Sequence, residues 1–325
     1  HLLFRGTPSY ASEEIDQRFD AMGAEINAGT GKESTSVYTR VLDTHIDEAF
    51  AIAAEMVWQP LITDADTEQE REIVLEELAM YEDDPQERVF DLAAESVFGA
   101  TPLGRPVIGT RPVVGAATGE RLRAFHDRFY TGGRLVVAGA GSIDHDALVA
   151  LTEGALEAAA AAGRIRDAAS RPEPVRPAPP DPRSVLLEKQ TEQVHLVVGG
   201  PALARDDDRR FALRVLDGLL GGTSSSRLFQ EIREKRGLAY AVYSFVSFHA
   251  TTGQAGVYVG TRPDRLQDTA AVLRDELERL CAGGVTRVEV DRAREHVKGR
   301  TILAMESTSA RMNRLGSSLL AGLPL

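Results

Sequence analysis

The chain has 325 residues, of which 43% are hydrophobic and 26% charged, with a formal net charge of −12 and a single cysteine, Cys281. That length holds two hydrophobic cores, the excess of acid argues against a nucleic-acid partner, and no apolar run reaches membrane-spanning length. One cysteine excludes an internal disulfide and a Cys-based zinc site, and Cys281 is read as a packed small hydrophobe.

In chain order, a first helix over 12–22 has Ser12 as its expected N-cap. It carries Ile15, Phe19 and Met22 at helical spacing and stops at Gly23. Two extended segments, 25–30 and 33–41, are rich in β-branched residues and separated by a glycine turn. A helix from about Asp47 to Val57 stops near Pro60, a second runs from Asp64 to about Tyr81, and a third opens at Asp84-Pro85 and reaches about Phe98. Pro102 to Pro106 is a loop, Arg121 to Phe129 a helix, and Arg134 to Gly139 a buried strand. Gly139-Ala140-Gly141 after that strand lacks the third glycine of a dinucleotide loop. Six prolines between Arg171 and Pro182 make a semi-rigid linker. The expected organisation is an N-terminal module over 1–165, a linker over 166–183 and a C-terminal module over 184–325.

Beyond the linker the sequence predicts strands Ser184–Glu188 and Gln193–Val198 and a helix from Arg209 to Leu220. A glycine-serine stretch, Gly221 to Ser226, reads as a capping turn and lacks the lysine of a phosphate loop. It leads into a helix over Arg227–Arg236 that Gly237 ends. A hairpin of Ala239–Phe248 and Gln254–Gly260 follows, then helices Leu266–Cys281 and Val288–Ala304, and a last one from about Thr308. The two halves share an order: a helix ending in glycine, paired strands, a long amphipathic helix, a break at a threonine (Thr63, Thr286) and further helices. The expected fold class is therefore α+β, built from two homologous modules. The halves differ in chemistry, because counting on from Thr286 as Glu77 follows Thr63 lands on Arg300.

The residues that stand out are His1 and, on the 64–81 helix, Glu70 and Glu77. Seven positions separate the glutamates, so two helical turns place both on nearly the same face. A histidine and a carboxylate from separate segments supply two-thirds of a catalytic zinc site. Taken singly, His1 is a solvated terminal residue and the glutamates a charged helix face. His45, His126, His145, His195, His249 and His296 form no ligand-spaced pair and read as structural or surface residues.

With these residues together, the chain resembles the pitrilysin-like zinc peptidases (peptidase family M16), in particular the mitochondrial-processing-peptidase branch and its bacterial relatives. That family carries an inverted motif, His-x-x-Glu-His, often continued as Leu/Met-Leu-Phe-Arg/Lys-Gly-Thr. Here His1-Leu2-Leu3-Phe4-Arg5-Gly6-Thr7 matches the end of that pattern. The resemblance implies His1 as the second histidine ligand, Glu77 as the distal ligand and Glu70 as a catalytic helix glutamate near the zinc. Asn27-Ala28 and Glu33–Val41 look like the family's substrate-binding edge strand, and Pro102-Leu103-Gly104-Arg105 fits a family loop. Ser225 to Tyr240 fits the second-module signature, which makes Arg233 and Tyr240 the arginine–tyrosine pair that reaches the substrate. Ala310 to Gly316 fits as well.

The resemblance implies a metallohydrolase of the processing-peptidase type, each module an antiparallel-rich sheet with helices packed on one face. It implies a zinc-dependent endopeptidase that hydrolyses extended peptides by a metal-activated water, with one Zn2+ per full-length chain. The expected setting is a bacterial cytoplasm, and the expected assembly a homodimer without membrane or nucleic-acid partners. The motif's first histidine and its general-base glutamate would precede His1, and family members continue beyond Leu325. The chain as it stands is therefore expected to hold an incomplete site and to be inactive. Two other readings carry the same fold: a non-catalytic scaffold subunit, as in respiratory-complex core proteins, and a peptide-binding module without turnover.

Overall fold

A computed structural model describes residues 1–165, 177–178, 181 and 183–325. In chain order the elements are α1 (Ser12–Ala21), β1 (Glu25–Thr30), β2 (Thr35–Arg40), α2 (Ile46–Trp58), α3 (Asp64–Asp83), α4 (Pro85–Phe98), α5 (Arg111–Gly115), α6 (Gly119–Phe129) and α7 (His145–Ala161). After the linker come β3 (Val194–Ala202), α8 (Arg210–Leu220), a π-helix (Phe229–Glu234), β4 (Ala239–Phe248), β5 (Gly253–Thr261), α9 (Leu266–Cys281), α10 (Arg287–Ala304) and α11 (Thr308–Ala321). Helices alternate with antiparallel strands, so the fold class is α+β. No helix among the described residues is long and apolar enough to cross a membrane. Most of the expected linker, residues 166–176, 179, 180 and 182, lies outside the described residues.

The chain divides into two compact units. The first comprises His1–Ala79, Val107–Glu173 and Met305–Leu325; the second comprises Met80–Pro106 and Pro174–Ala304. α4, from the first half of the sequence, thus belongs to the second unit, and α11, from the end, to the first.

In the first unit, Ile15 and Phe19 of α1 and Met22 just beyond it pack on Ala49, Ile52 and Met56 of α2, with Phe4, Tyr10 and Ile26 closing the cluster. Ile15, Ile52 and Met56 have no exposed surface, and full burial of each stabilises by ~1.5–3 kcal/mol. Ser12 is the first residue of α1 and Ala11 its N-cap. The Ser12 hydroxyl instead donates to the Phe4 carbonyl at 2.9 Å, which ties the first turn of the chain to the helix. α1 stops where Gly23 takes φ +60°, and the Ala24 N–H returns to the Phe19 carbonyl at 2.9 Å, a left-handed C-cap. β1 and β2 pair in register from Glu25 opposite Arg40 to Thr30 opposite Thr35. The other end of α2, Ala54 and Trp58, packs on Ala159 of α7.

The predicted strand Arg134–Gly139 is not a strand. Leu135 is extended at φ −114°, ψ 140° and packs beside Trp58 and Ala159, but the segment belongs to neither sheet among the described residues. Its apolar run reflects burial, and burial alone does not supply a ladder partner.

The second unit holds a three-stranded antiparallel sheet in the order β3-β5-β4. Period-two alternation splits its faces. Val257 and Val259 of β5 and Val242 of β4 join Leu273 of α9, Ile232 of the π-helix and the preceding Leu228 in one buried cluster. On the other face, Phe90 of α4 lies 5.5 Å from the Tyr258 ring and 5.2 Å from the Phe245 ring. A polar network runs beneath α4: His195 Nδ1 lies 2.8 Å from the Tyr258 hydroxyl, which donates to Gln86 Oε1 at 3.2 Å. Burial lowers the His195 imidazole and pushes Tyr258 up to about 12.

Two expectations fail in this unit, and one helix is present with a different winding. Ser184–Glu188 forms no strand, and Leu186 is 82% exposed, so the segment has no sheet to join. The Arg227–Arg236 helix is π-wound over Phe229–Glu234. Cys281, the last residue of α9, is exposed rather than packed, because it sits on the solvent side of the final turn.

The sequence repeat has a structural counterpart in its caps. The Asp66 N–H donates to the Thr63 hydroxyl at 3.0 Å before α3, and the Glu289 N–H donates to the Thr286 hydroxyl at 3.3 Å before α10. Both threonines are N-caps, and the second is a full capping box, since the Thr286 N–H also donates to the Glu289 carboxylate at 2.8 Å. Seven residues after each threonine the two helices diverge: α3 carries buried Glu70, and α10 carries buried Ala293 near Gly218 of α8.

Candidate active site

The candidate site is built from the first turn of the chain and α3. Ile62, just before α3, has φ +47°, the only non-glycine positive φ among the described residues. A β-branched residue there stores ~1–3 kcal/mol of strain. It is held by burial of its side chain to 5% exposure and by Arg123 Nη1 donating to its carbonyl at 2.6 Å. The Thr63 N-cap then starts α3, and the helical repeat carries Glu70 and Glu77 onto one face.

His1 is brought to that face by anchors of its own. Leu2–Phe4 is a 3-10 turn that sends Phe4 into the first core. Gly6, at φ +123°, bends the chain so that its carbonyl accepts from the Leu61 N–H at 3.1 Å. A side chain there would enter a backbone conformation that L-residues rarely adopt.

The result is a three-residue constellation. His1 Nδ1 lies 2.7 Å from Glu70 Oε2, and His1 Nε2 lies 3.7 Å from Glu77 Oε2. The other oxygen of Glu70 accepts from Nε and Nη2 of Arg5. Glu70 is buried at 7% exposure, whereas the His1 and Glu77 side chains are 46% and 43% exposed and open to solvent. Imidazole nitrogen and carboxylate oxygen are both zinc donors, and two ligands on one tetrahedral zinc ion lie about 3.3 Å apart. The His1–Glu77 separation of 3.7 Å is near that value, so the two residues fit as neighbouring ligands. Among the described residues no group of three His, Cys, Asp or Glu side chains is arranged to hold a metal ion. The pair offers two donor atoms facing one another, with Glu70 behind His1.

The remaining predicted residues lie on two other elements. Asn27 and Ala28 sit on β1 opposite Tyr38 and Val37, and the Asn27 side-chain oxygen accepts from the Ala28 N–H at 2.7 Å. Arg233 and Tyr240, in the second unit, are in direct contact. The Arg233 guanidinium lies 4.4 Å from the Tyr240 ring centroid and 4.7 Å from that of Phe229, and Nη1 donates to the Tyr240 carbonyl at 3.1 Å.

Two backbone irregularities make that pair. The π-helix presents Arg233, and Gly237 at φ +57° turns the chain into β4. In β4 the register slips between Ala239 and Ala241, leaving Tyr240 as the extra residue of a bulge. Bulges and π-turns re-aim side chains at functional sites, and Tyr240 is 77% exposed. The segment is clamped just upstream, where Arg227 Nε and Nη2 donate to the two oxygens of Glu289 at 2.7 and 2.9 Å.

Sequence reasoning missed Arg5, which it quotes only as part of a motif. No pattern in the sequence links Arg5 to Glu70, since the contact spans 65 positions.

Comparison with known proteins bears on the family. Residues 1–111 match the model of the insulinase family (peptidase family M16), and residues 116–297 match that of the peptidase M16 inactive domain. An uncharacterized zinc protease of Streptomyces coelicolor is 44% identical over 98% of this chain and 70% of its own length. The uncharacterized zinc protease YmxG of Bacillus subtilis is 34% identical over 98% of this chain and 76% of its own. Among solved structures, a peptidase M16 inactive domain from Pseudomonas fluorescens superposes with a TM-score of 0.89 at 24% identity, over 99% of this chain and 76% of that one. A protease from Helicobacter pylori gives 0.86 at 19%, over 99% and 78%. At those identities the structural matches speak to the fold alone, and it is the family models and the curated relatives that decide: this chain belongs to peptidase family M16.

Proposed function

We propose that the protein carrying this chain is a zinc-dependent endopeptidase acting on extended peptides. The observation that carries the reading is the convergence of His1, Glu70 and Glu77 from segments about seventy positions apart. The names of its relatives, zinc proteases, support the same reading. In it, His1 through Nε2 and Glu77 through a carboxylate oxygen hold the metal. When bound, zinc supplies an acidified water and polarises the scissile carbonyl. Glu70 accepts a hydrogen bond from His1 Nδ1–H and holds the ring, as outer carboxylates do for metal-bound imidazoles. Arg233 and Tyr240 supply hydrogen-bond donors for peptide carbonyl oxygens, where preorganised donors act most strongly. β1, paired along one edge only among the described residues, offers backbone groups to an extended chain around Asn27 and Ala28.

The test is zinc content and chelator-sensitive cleavage of internally quenched peptides by the full-length protein. One zinc per chain, with cleavage lost on chelation and in Glu77→Gln, is the expected result. Peptide binding with neither zinc nor cleavage would replace the reading with that of a binding module.

A further inference from the structure

Glu70 offers two oxygens inside a nearly closed environment, and the structure divides them. Oε2 faces His1 Nδ1 at 2.7 Å. Oε1 is taken by both Nε and Nη2 of Arg5. A buried carboxylate is tolerated when its oxygens are matched by donors, and a guanidinium fork supplies two from a fixed plane. Arg5 reaches this position because the Leu2–Phe4 turn places residues 1 and 5 on one side of the chain: the Phe4 N–H donates to the His1 carbonyl at 2.9 Å and the Arg5 N–H to the Leu2 carbonyl at 3.3 Å. The Arg5 side chain is 25% exposed, so water competes with the contact only in part.

We propose that Arg5 is a positioning residue for the candidate metal centre. By occupying Oε1 of Glu70, it leaves Oε2 as the acceptor for His1 Nδ1–H and so sets the imidazole tautomer that presents the Nε2 lone pair beside Glu77. This rests on the zinc-peptidase reading for its purpose; the arrangement itself is given by the contacts of Glu70 with His1 and Arg5. Without Arg5, Oε1 is a buried acceptor lacking its donors, and the carboxylate gains by rotating toward water or toward another N–H. His1 then loses the partner that holds its Nδ1 proton, and metal binding must pay for reordering the ring.

The experiment compares wild type with Arg5→Met and Arg5→Lys in the full-length protein, with Arg18→Met as a control. Arg18 pairs with Glu14 and Glu48 away from the site. Two quantities are read: zinc affinity by chelator competition, and the His1 tautomer in metal-free protein by 15N imidazole NMR. Arg5→Met is expected to weaken zinc binding about 10–100-fold and to abolish the single Nδ1–H tautomer, while Arg18→Met changes neither. Arg5→Lys keeps the charge but not the fork, and is expected to lose about threefold or more. Wild-type zinc affinity in a folded Arg5→Met protein would overturn the proposal. If Arg5→Met does not fold, wild-type affinity in Arg5→Lys overturns it instead. If wild type itself binds no zinc, the peptidase reading falls. The tautomer then decides alone: Nδ1–H in wild type and its loss in either Arg5 variant supports the role of Arg5, and an unchanged tautomer refutes it.

Discussion

Glu289→Gln tests how the second unit holds the segment that bears Arg233. Glu289 accepts from Arg227 Nε and Nη2 at 2.7 and 2.9 Å, and from the Thr286 N–H and hydroxyl at 2.8 Å each. These donors, Arg227 above all, hold its carboxyl down from 4.5 to about 2. At ~1.36 kcal/mol per pH unit that gap is worth ~3 kcal/mol. With side chains 15% and 18% exposed, screening reduces the expected value to ~2 kcal/mol. A depressed carboxyl stabilises the fold above its ordinary value, and the contribution is lost as pH falls from about 4.5 towards 2. At pH 7 the variant should unfold in urea at a midpoint lower by about 1 M, given a slope of ~1–3 kcal/mol per M. The gap from wild type should shrink steadily between pH 4.5 and 2.5. Far-ultraviolet circular dichroism across a urea series at several pH values measures both. A constant gap across that range, or a loss under ~0.5 kcal/mol at pH 7, would refute the reasoning.

Three further outcomes follow from individual residues. Tyr240→Phe should leave stability within ~0.5 kcal/mol, because the side chain is 77% exposed, yet reduce kcat/KM of the full-length protein about 100-fold if the hydroxyl is an oxyanion donor; unchanged cleavage of a quenched peptide would remove it from the site. Asp217 is raised above 3.8 chiefly by burial, while Ser244 donates to it at 2.5 Å. Its ionisation therefore costs stability at neutral pH, and Asp217→Asn should raise Tm at pH 7 with the gain vanishing below about pH 3.8; a lower Tm at pH 7 would contradict this. His126 is lowered by burial while its Nε2 bonds the Val57 carbonyl at 2.8 Å. The neutral ring stabilises the fold above 6.5 and that stability is lost as pH falls below it, so His126→Gln should flatten the Tm profile between pH 6.5 and 5.

Local signals in the sequence determined the elements that local chemistry controls. Ile15, Phe19 and Met22 mark one helix face, Gly23 and Gly237 end helices because they adopt positive φ, and the threonine caps at Thr63 and Thr286 start α3 and α10. The spacing of Glu70 and Glu77 was enough to put two carboxylates on one face, since that depends only on the helical repeat. What required the tertiary structure was everything that depends on a distant partner. Arg134–Gly139 and Ser184–Glu188 have strand-like composition but no ladder, because pairing is a property of two segments and composition describes one. The placement of α4 on the Tyr258 face of the second unit's sheet follows from Phe90 meeting rings of β4 and β5 more than 150 residues away. The exposure of Tyr240 comes from a one-residue slip against β5, and the Arg5–Glu70 contact from a turn meeting a helix across 65 positions. Periodicity is written in one stretch of chain, whereas register and side-chain partnership are settled only when two stretches meet.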